Sequence, residues 1–187
     1  MSSTNFFHQL DRKRQPRPQL IFIIGPQHSG AGELCKKIKE RFQTLDSINT
    51  TTNTDTGSII DALFPYTTSS GNQTLLRPAL LERFPRDAAQ WGRFKDGSKV
   101  DGKRVWVPTQ SLVVKVVSDV PAALDRWERA TPGEKSMQAR NDARKRYVAE
   151  EKATQDVYVN MGGTRIHARE VKGSDIDEVL KMVGDLL

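Results

Sequence analysis

Leu20-Ile-Phe-Ile-Ile24, followed directly by Gly25-Pro-Gln-His-Ser-Gly-Ala-Gly32, is the stretch whose reading decides the fold. Consecutive apolar, mostly β-branched side chains leave no polar face for water, so the run predicts a strand buried on both sides of a parallel sheet, ended by Gly25-Pro26. The period then changes. Leu34, Cys35, Ile38 and Phe42 fall at helical spacing within 33–42, while Lys36, Lys37, Lys39, Glu40 and Arg41 cover the other side. A glycine-rich loop between a buried strand and a helix lets backbone N–H groups converge at the positive end of the helix dipole, which suits phosphate.

Outward from this unit, residues 44–49 read as a short strand and 49–56, almost all Thr, Asn and Asp, as a loop. Residues 59–64 suit one or two helical turns, 66–73 another loop, and Ala79-Leu-Leu81 a third buried strand. The segment 92–102 carries glycines and charges without period and reads as an exposed loop, opening into a hairpin through 104–107. Leu112-Val-Val-Lys-Val-Val117 is a strong strand. Residues 121–129 form a helix with Pro in the first turn, 138–161 a long charged helix, 164–167 a fifth strand, and 174–187 a helix capped by Ser174. Strands alternating with helices imply an α/β parallel sheet.

The composition narrows the classes. Of 187 residues, 29 are Lys or Arg and 23 Asp or Glu, giving a formal net charge of +6. Half of that excess lies in residues 1–18, where Arg12, Lys13, Arg14 and Arg17 stand among Pro16 and Pro18, a basic tail without the composition of a packed core. Such a tail can engage a protein partner, an import receptor or nucleic acid. The rest of the charge is ordinary for a folded domain, which argues against a nucleic-acid-binding face. A single cysteine, Cys35, rules out an intrachain disulfide and a cysteine-based zinc cluster and points to a reducing compartment, the cytoplasm with the nucleus also open. The longest apolar run is Leu20–Ile24, far short of the roughly 18 residues of a membrane span, so no membrane association is expected. His8, His28 and His167 are scattered and suggest neither a metal site nor acid–base chemistry.

Two motifs together carry a resemblance. The P-loop template G-x-x-x-x-G-K-S/T matches at Gly25 and Gly30 but meets Ala31 where the lysine belongs. The loop resembles that of adenylate kinase and related nucleoside monophosphate kinases, G-x-P-G-S-G-K-G-T. Ser29, Gly30, Gly32 and Cys35 are in register, and Gln27, His28, Ala31 and Glu33 depart. Those kinases share a second segment, three apolar residues and then D-G-F/Y/I-P-R-x-x-x-N/Q. Here Ala79-Leu-Leu-Glu-Arg-Phe-Pro-Arg-Asp-Ala-Ala-Gln90 keeps all of it except Asp-Gly, replaced by Glu82-Arg83. Residues 113–129 with Asp119-Val-Pro121 resemble the strand and helix that lead to the family's lid, and Arg140-Asn-Asp142 its R-x-D.

The resemblance implies a three-layer αβα P-loop domain over 19–187, adenylate kinase-like, with a parallel sheet of about five strands. It also implies a diverged monophosphate-binding insert over 50–78, shortened and carrying Asp61 where a phosphate-binding Arg is expected, and a short lid over 130–146. The same resemblance gives Gly25, His28, Ser29, Gly30, Ala31, Gly32 and Glu33 as the loop that would cradle a nucleotide such as ATP. Gln90 would bond an acceptor base, Arg86, Arg126 and Arg140 would contact transferring phosphates, and Glu82 would approach magnesium. An Arg at 83, where the family has Gly, predicts an altered turn.

Elementary electrostatics sets the consequence of Ala31. Two unit charges about 4 Å apart interact by roughly 4 kcal/mol at an effective dielectric near 20, so a missing lysine costs around a thousandfold in phosphoryl transfer if nothing replaces it. Glu33, in the first helical turn, is favoured by the dipole and competes for the region a phosphate would use. Three functions follow as expectations: a nucleotide-binding pseudoenzyme with weakened or lost transfer, an active kinase with an unusual loop, and a noncatalytic partner-binding protein.

Overall fold

The computed structural model describes residues 19–50, 55–63, 78–97, 99–100, 103–104, 111–133, 136–163, 166–172 and 175–187. The basic tail 1–18, most of the 50–78 insert and the expected cap Ser174 lie outside them. The elements are β1 (Leu20–Ile24), α1 (Ala31–Arg41), β2 (Asp46–Asn49), α2 (Thr56–Leu63), β3 (Ala79–Glu82), α3 (Ala88–Gly97), β4 (Lys99–Val100), β5 (Lys103–Arg104), β6 (Leu112–Val117), α4 (Val120–Ala130), α5 (Met137–Gly162), β7 (His167–Lys172) and α6 (Ile176–Leu186).

The main sheet is parallel throughout, in the order β2-β3-β1-β6-β7. β1 is central, with Leu20 opposite Ala79 on β3 and Ile21 opposite Leu112 on β6. Because its side chains alternate, Leu20, Phe22 and Ile24 join Ile59, Trp91, Phe94, Val157 and Met161 on one face, while Ile21 and Ile23 join Leu34, Ile38, Val179 and Val183 on the other. Helices therefore cover both faces, the three-layer α/β architecture that the continuous apolar run predicts. A smaller cluster of Leu124, Trp127 and Ala143 ties α4 to α5. The caps are local: Asp119 accepts from Ala122 N–H at 2.7 Å to start α4, and Ser136 accepts from Ala139 N–H at 3.1 Å to start α5.

The structure corrects two expectations. Residues 92–97 are not an exposed loop but the second half of α3, and the strands beyond it pair antiparallel at 99–100 and 103–104. Trp91 and Phe94, three residues apart, put their rings into the core beside Phe22, and Asp87 accepts from Gln90 N–H at 2.7 Å to open the helix. Burying those rings outweighs the helix-weakening Gly92 and Gly97. The fifth strand runs His167–Lys172, later than 164–167, because it pairs from His167 opposite Leu112 to Lys172 opposite Val117. At the end of the sheet its residues are mostly exposed, so its sequence lacks the apolar signature of β1.

Phe22 is fully buried and meets Trp91 and Phe94 edge-on, each with ring centroids 5.9 Å away. Phe22→Ala is expected to lower the unfolding free energy by about 3–5 kcal/mol, read from the urea midpoint at unchanged slope.

Candidate functional site

The glycine-rich loop leaves β1 under tight constraint. A Cβ on Gly25 would lie 2.6 Å from Ser29 Oγ and 3.0 Å from the Val116 carbonyl oxygen, so only glycine lets the strand end pass its neighbour. Ser29 is buried; its N–H donates to the Pro26 carbonyl at 3.1 Å, and its hydroxyl accepts from Ala31 N–H at 3.4 Å. His28 and Gly30 are left-handed, with φ 65 and 103, and turn the chain into α1. Gly30 caps that helix with no side-chain hydrogen bond; Ser29 takes the Ala31 N–H, and Gly32 and Glu33, whose N–H groups have no partner within the helix, line a cavity of about 240 Å³.

That cavity collects most of the expected site. Gly30, Ala31, Gly32, Glu33, His28, Glu82 and Arg126 line it, together with Arg83. Arg126, on α4, donates to Ser118 Oγ at 2.9 Å and to the His28 carbonyl at 3.3 Å, which fixes a guanidinium over the loop. Glu82 ends β3 with Lys39 Nζ 3.6 Å from Oε2. Arg83, at φ 55, takes the left-handed conformation, a strain of roughly 1–2 kcal/mol for a residue with a side chain. Its N–H donates to the Ile23 carbonyl at 2.7 Å, locking the end of β3 beside β1.

Other expected residues lie apart. Arg86 lines a neighbouring cavity of about 120 Å³ with Gly25 and Arg83, and its guanidinium donates to the Thr50 carbonyl. Gln90 is engaged in local structure, its side-chain oxygen accepting from Arg86 N–H at 2.7 Å. Arg140, in the first turns of α5, pairs with Glu128 of α4 at 3.2 Å and does not line these cavities. Lys36 pairs with Glu40 at 3.9 Å on the exposed side of α1, as a solvated helix face predicts.

Sequence reasoning missed α5 as a wall of the site. Gln27 N–H donates to Glu150 Oε2 at 2.6 Å, and Arg83 Nη2 lies 4.0 Å from the same oxygen. The internal carboxylate on a loop N–H is thus Glu150; Glu33 lies exposed at the cavity rim. A third cavity, about 310 Å³, opens between α4 and α5 against Gln27 and His28, floored by Leu124, Trp127 and Ala143 and edged by Arg146, Tyr147 and Glu150. The signal was present: Ala143, Tyr147, Thr154, Val157 and Met161 are buried at helical spacing, and Glu150 falls on their face.

Burial pushes the Tyr147 hydroxyl up to about 12, assisted by the charge of Glu151, while the phenol donates to the Ser118 carbonyl at 2.7 Å. Burial also raises Cys35 far above the ordinary thiol range, which leaves it an inert core residue. Among the described residues no group of three or more His, Cys, Asp and Glu is placed to hold a metal ion by itself, and no helix is long and apolar enough to cross a membrane.

No protein-family model matches the sequence, and no curated protein matches it. The YorR protein of Bacillus subtilis, solved in complex with phosphorylated GDP, is similar in structure at 12% identity, over 90% of this chain and 95% of that chain, with a TM-score of 0.52. Deoxyadenosine kinase from M. mycoides, with dCMP and a flexible dCDP bound, aligns at 8% identity over 89% and 97%, TM-score 0.49. Shikimate kinase from Acinetobacter baumannii, in complex with shikimate, aligns at 11% over 90% and 92%, TM-score 0.42. The first likeness shows a shared α/β fold.

Burial and the positive charges of Arg83 and Arg146 lower the His28 pKa from its ordinary 6.5, with Glu150 opposing. The unfolded chain therefore takes up this proton first as pH falls. The contribution to stability is complete above 6.5 and is lost as pH drops through that value toward the lower folded pKa. His28→Asn, which tolerates the left-handed backbone, is expected to flatten that fall in the urea midpoint; an unchanged slope would leave the titration to other groups.

Proposed function

We propose that the chain is an adenylate kinase-like nucleotide-binding protein in which phosphoryl transfer is weakened or lost. The observation that carries this reading is the head of α1. The loop has the glycine turn, a helix start with no side-chain cap from its N-cap residue and the cavity that a phosphate needs, yet position 31 carries a buried methyl group in place of an ammonium. Phosphoryl transfer depends on cations placed against the developing charge of the transferring group. Binding asks for less, because helix N–H groups and a fixed guanidinium suffice to hold an anion.

In this reading the nucleotide phosphates lie over residues 28–33 beneath Arg126, with Arg86 toward an acceptor. Magnesium keeps most of its waters and binds through one or two carboxylates plus phosphate; Glu82 and Glu33 on the same cavity suit that ligand set, with Lys39 yielding its contact to Glu82. The ion, when bound, would screen phosphate charge. One observation favours the active-kinase alternative: Arg83 and Arg126 share the cavity with α1, which supplies two cations where the template has one lysine.

The expected outcome is a higher melting temperature with millimolar ATP, by an amount that follows RT ln(1 + [L]/Kd), and diphosphate formation from labelled ATP with AMP, CMP or UMP at background. Turnover that disappears in Arg126→Ala would establish the active reading instead. Ala31→Lys combined with Glu33→Thr is expected to tighten ATP binding at least tenfold, measured by calorimetry.

A further inference from the structure

We infer that Glu150 is a resident counter-anion of the loop: its carboxylate stands where a ligand's phosphate oxygen would, and incoming phosphate must displace it. The inference rests on the reading of residues 25–32 as a nucleotide-binding loop and names the device that regulates that site. Glu150 Oε2 accepts from Gln27 N–H at 2.6 Å and lies 4.0 Å from Arg83 Nη2. A loop N–H on one side and a guanidinium on the other are the contacts that an anionic oxygen takes in such a loop.

The rest of α5 fixes the backbone that carries this partly exposed carboxylate. Val157 and Met161 are fully buried in the core on the same helix, and Tyr147 donates to the Ser118 carbonyl at 2.7 Å one turn earlier. Glu150 also lines both the cavity that holds Trp127 and the one that holds Arg86, so it stands at the junction of the trough. Its surroundings are cationic. Arg83, Arg86 and Arg146 line the same two cavities, and Arg126 lies across the loop. Arg83 Nε is buried without a hydrogen-bond partner among the described residues, so this guanidinium retains donor capacity that its contact with Glu150 does not use. Neutralising Glu150 leaves the Arg83 guanidinium and the Gln27 N–H with no carboxylate charge between them. A polyphosphate entering the wild-type trough meets the opposite situation: a like charge already seated on its hydrogen-bond donor.

Glu150→Gln keeps the size and one acceptor oxygen while it removes the charge and turns the other oxygen into an amide donor; Asp156→Asn makes the same exchange from an exposed position on the same helix. Affinities for tripolyphosphate and for ATP, both without magnesium, are measured by calorimetry at fixed ionic strength, with folding checked by circular dichroism. Glu150→Gln is expected to bind both about tenfold more tightly than wild type, with Asp156→Asn unchanged. Glu150→Ala, which removes the acceptor as well, should tighten similarly. Tightening for tripolyphosphate alone would support the counter-anion and count against the nucleotide reading. If both Glu150 variants bind as wild type while Ala31→Lys with Glu33→Thr binds more tightly, the counter-anion is overturned and the loop reading stands. Equal tightening in Asp156→Asn overturns it as a general charge effect, and absence of binding in every variant overturns both.

Discussion

The molecule depends on β1 having strands on both sides and helices on both faces. Its backbone pairs in parallel register with β3 and β6, and Leu20 through Ile23 are fully buried. Where such a strand ends is therefore not adjustable. Gly25 emerges between the ends of β3 and β6, in the crevice at the carboxyl edge where an open α/β sheet receives ligands. One neighbour brings Glu82, Arg83 and Arg86 to the loop, and the other leads through Ser118 into α4 and Arg126. The close approach of Gly25 to Ser29 and Val116 is the local expression of the same packing.

The central strand, the loop, the first helix and the α/β class were legible because each follows from a local pattern: an unbroken apolar run, clustered glycines, a helical stripe. α4 was legible from the proline in its first turn, and α5 as a long charged helix, though its buried stripe went unread. Legibility fails where tertiary contacts decide. Residues 92–97 look like loop because two glycines and several charges lie in a short span, yet Trp91 and Phe94 gain more by packing on Phe22 than the glycines lose. β7 occupies the end of the sheet, so one edge and much of its surface are wet and no apolar alternation marks it. In the site, Ala31 could be named from sequence because it belongs to a motif with a fixed offset, and Arg126 only as one arginine of the segment that resembles the approach to the family's lid. Glu150 lies 123 positions from the N–H it contacts, and nothing local connects the two. The left-handed Arg83 is a related case: sequence records the steric cost of that backbone, while the contact with Ile23 that holds it is tertiary.

The charge count takes on a different meaning once the side chains are placed. Arg83 and Arg86 from the connection after β3, Arg126 from α4 and Arg146 from α5 converge on the cavities around the loop. Several are already fastened, Arg126 to Ser118 and the His28 carbonyl and Arg86 to Thr50. A fastened guanidinium loses less side-chain freedom when it meets an anion than a solvated lysine does. The loop thus lacks its mobile cation but is bordered by several positioned ones.

The length of α5 carries one more consequence. Its 26 residues span about 39 Å, and its two ends belong to different neighbourhoods: Ala143 packs on α4, while Val157 and Met161 are embedded beneath the sheet. A rod clamped at both ends cannot swing away from the loop as a hinged arm would. Glu150 sits between the clamps, so its carboxylate leaves Gln27 by rotating its own side-chain bonds, a movement of picoseconds to nanoseconds for a partly exposed residue. Uncovering the Gln27 N–H then asks for one side chain's rotamer exchange and no movement of the helix backbone.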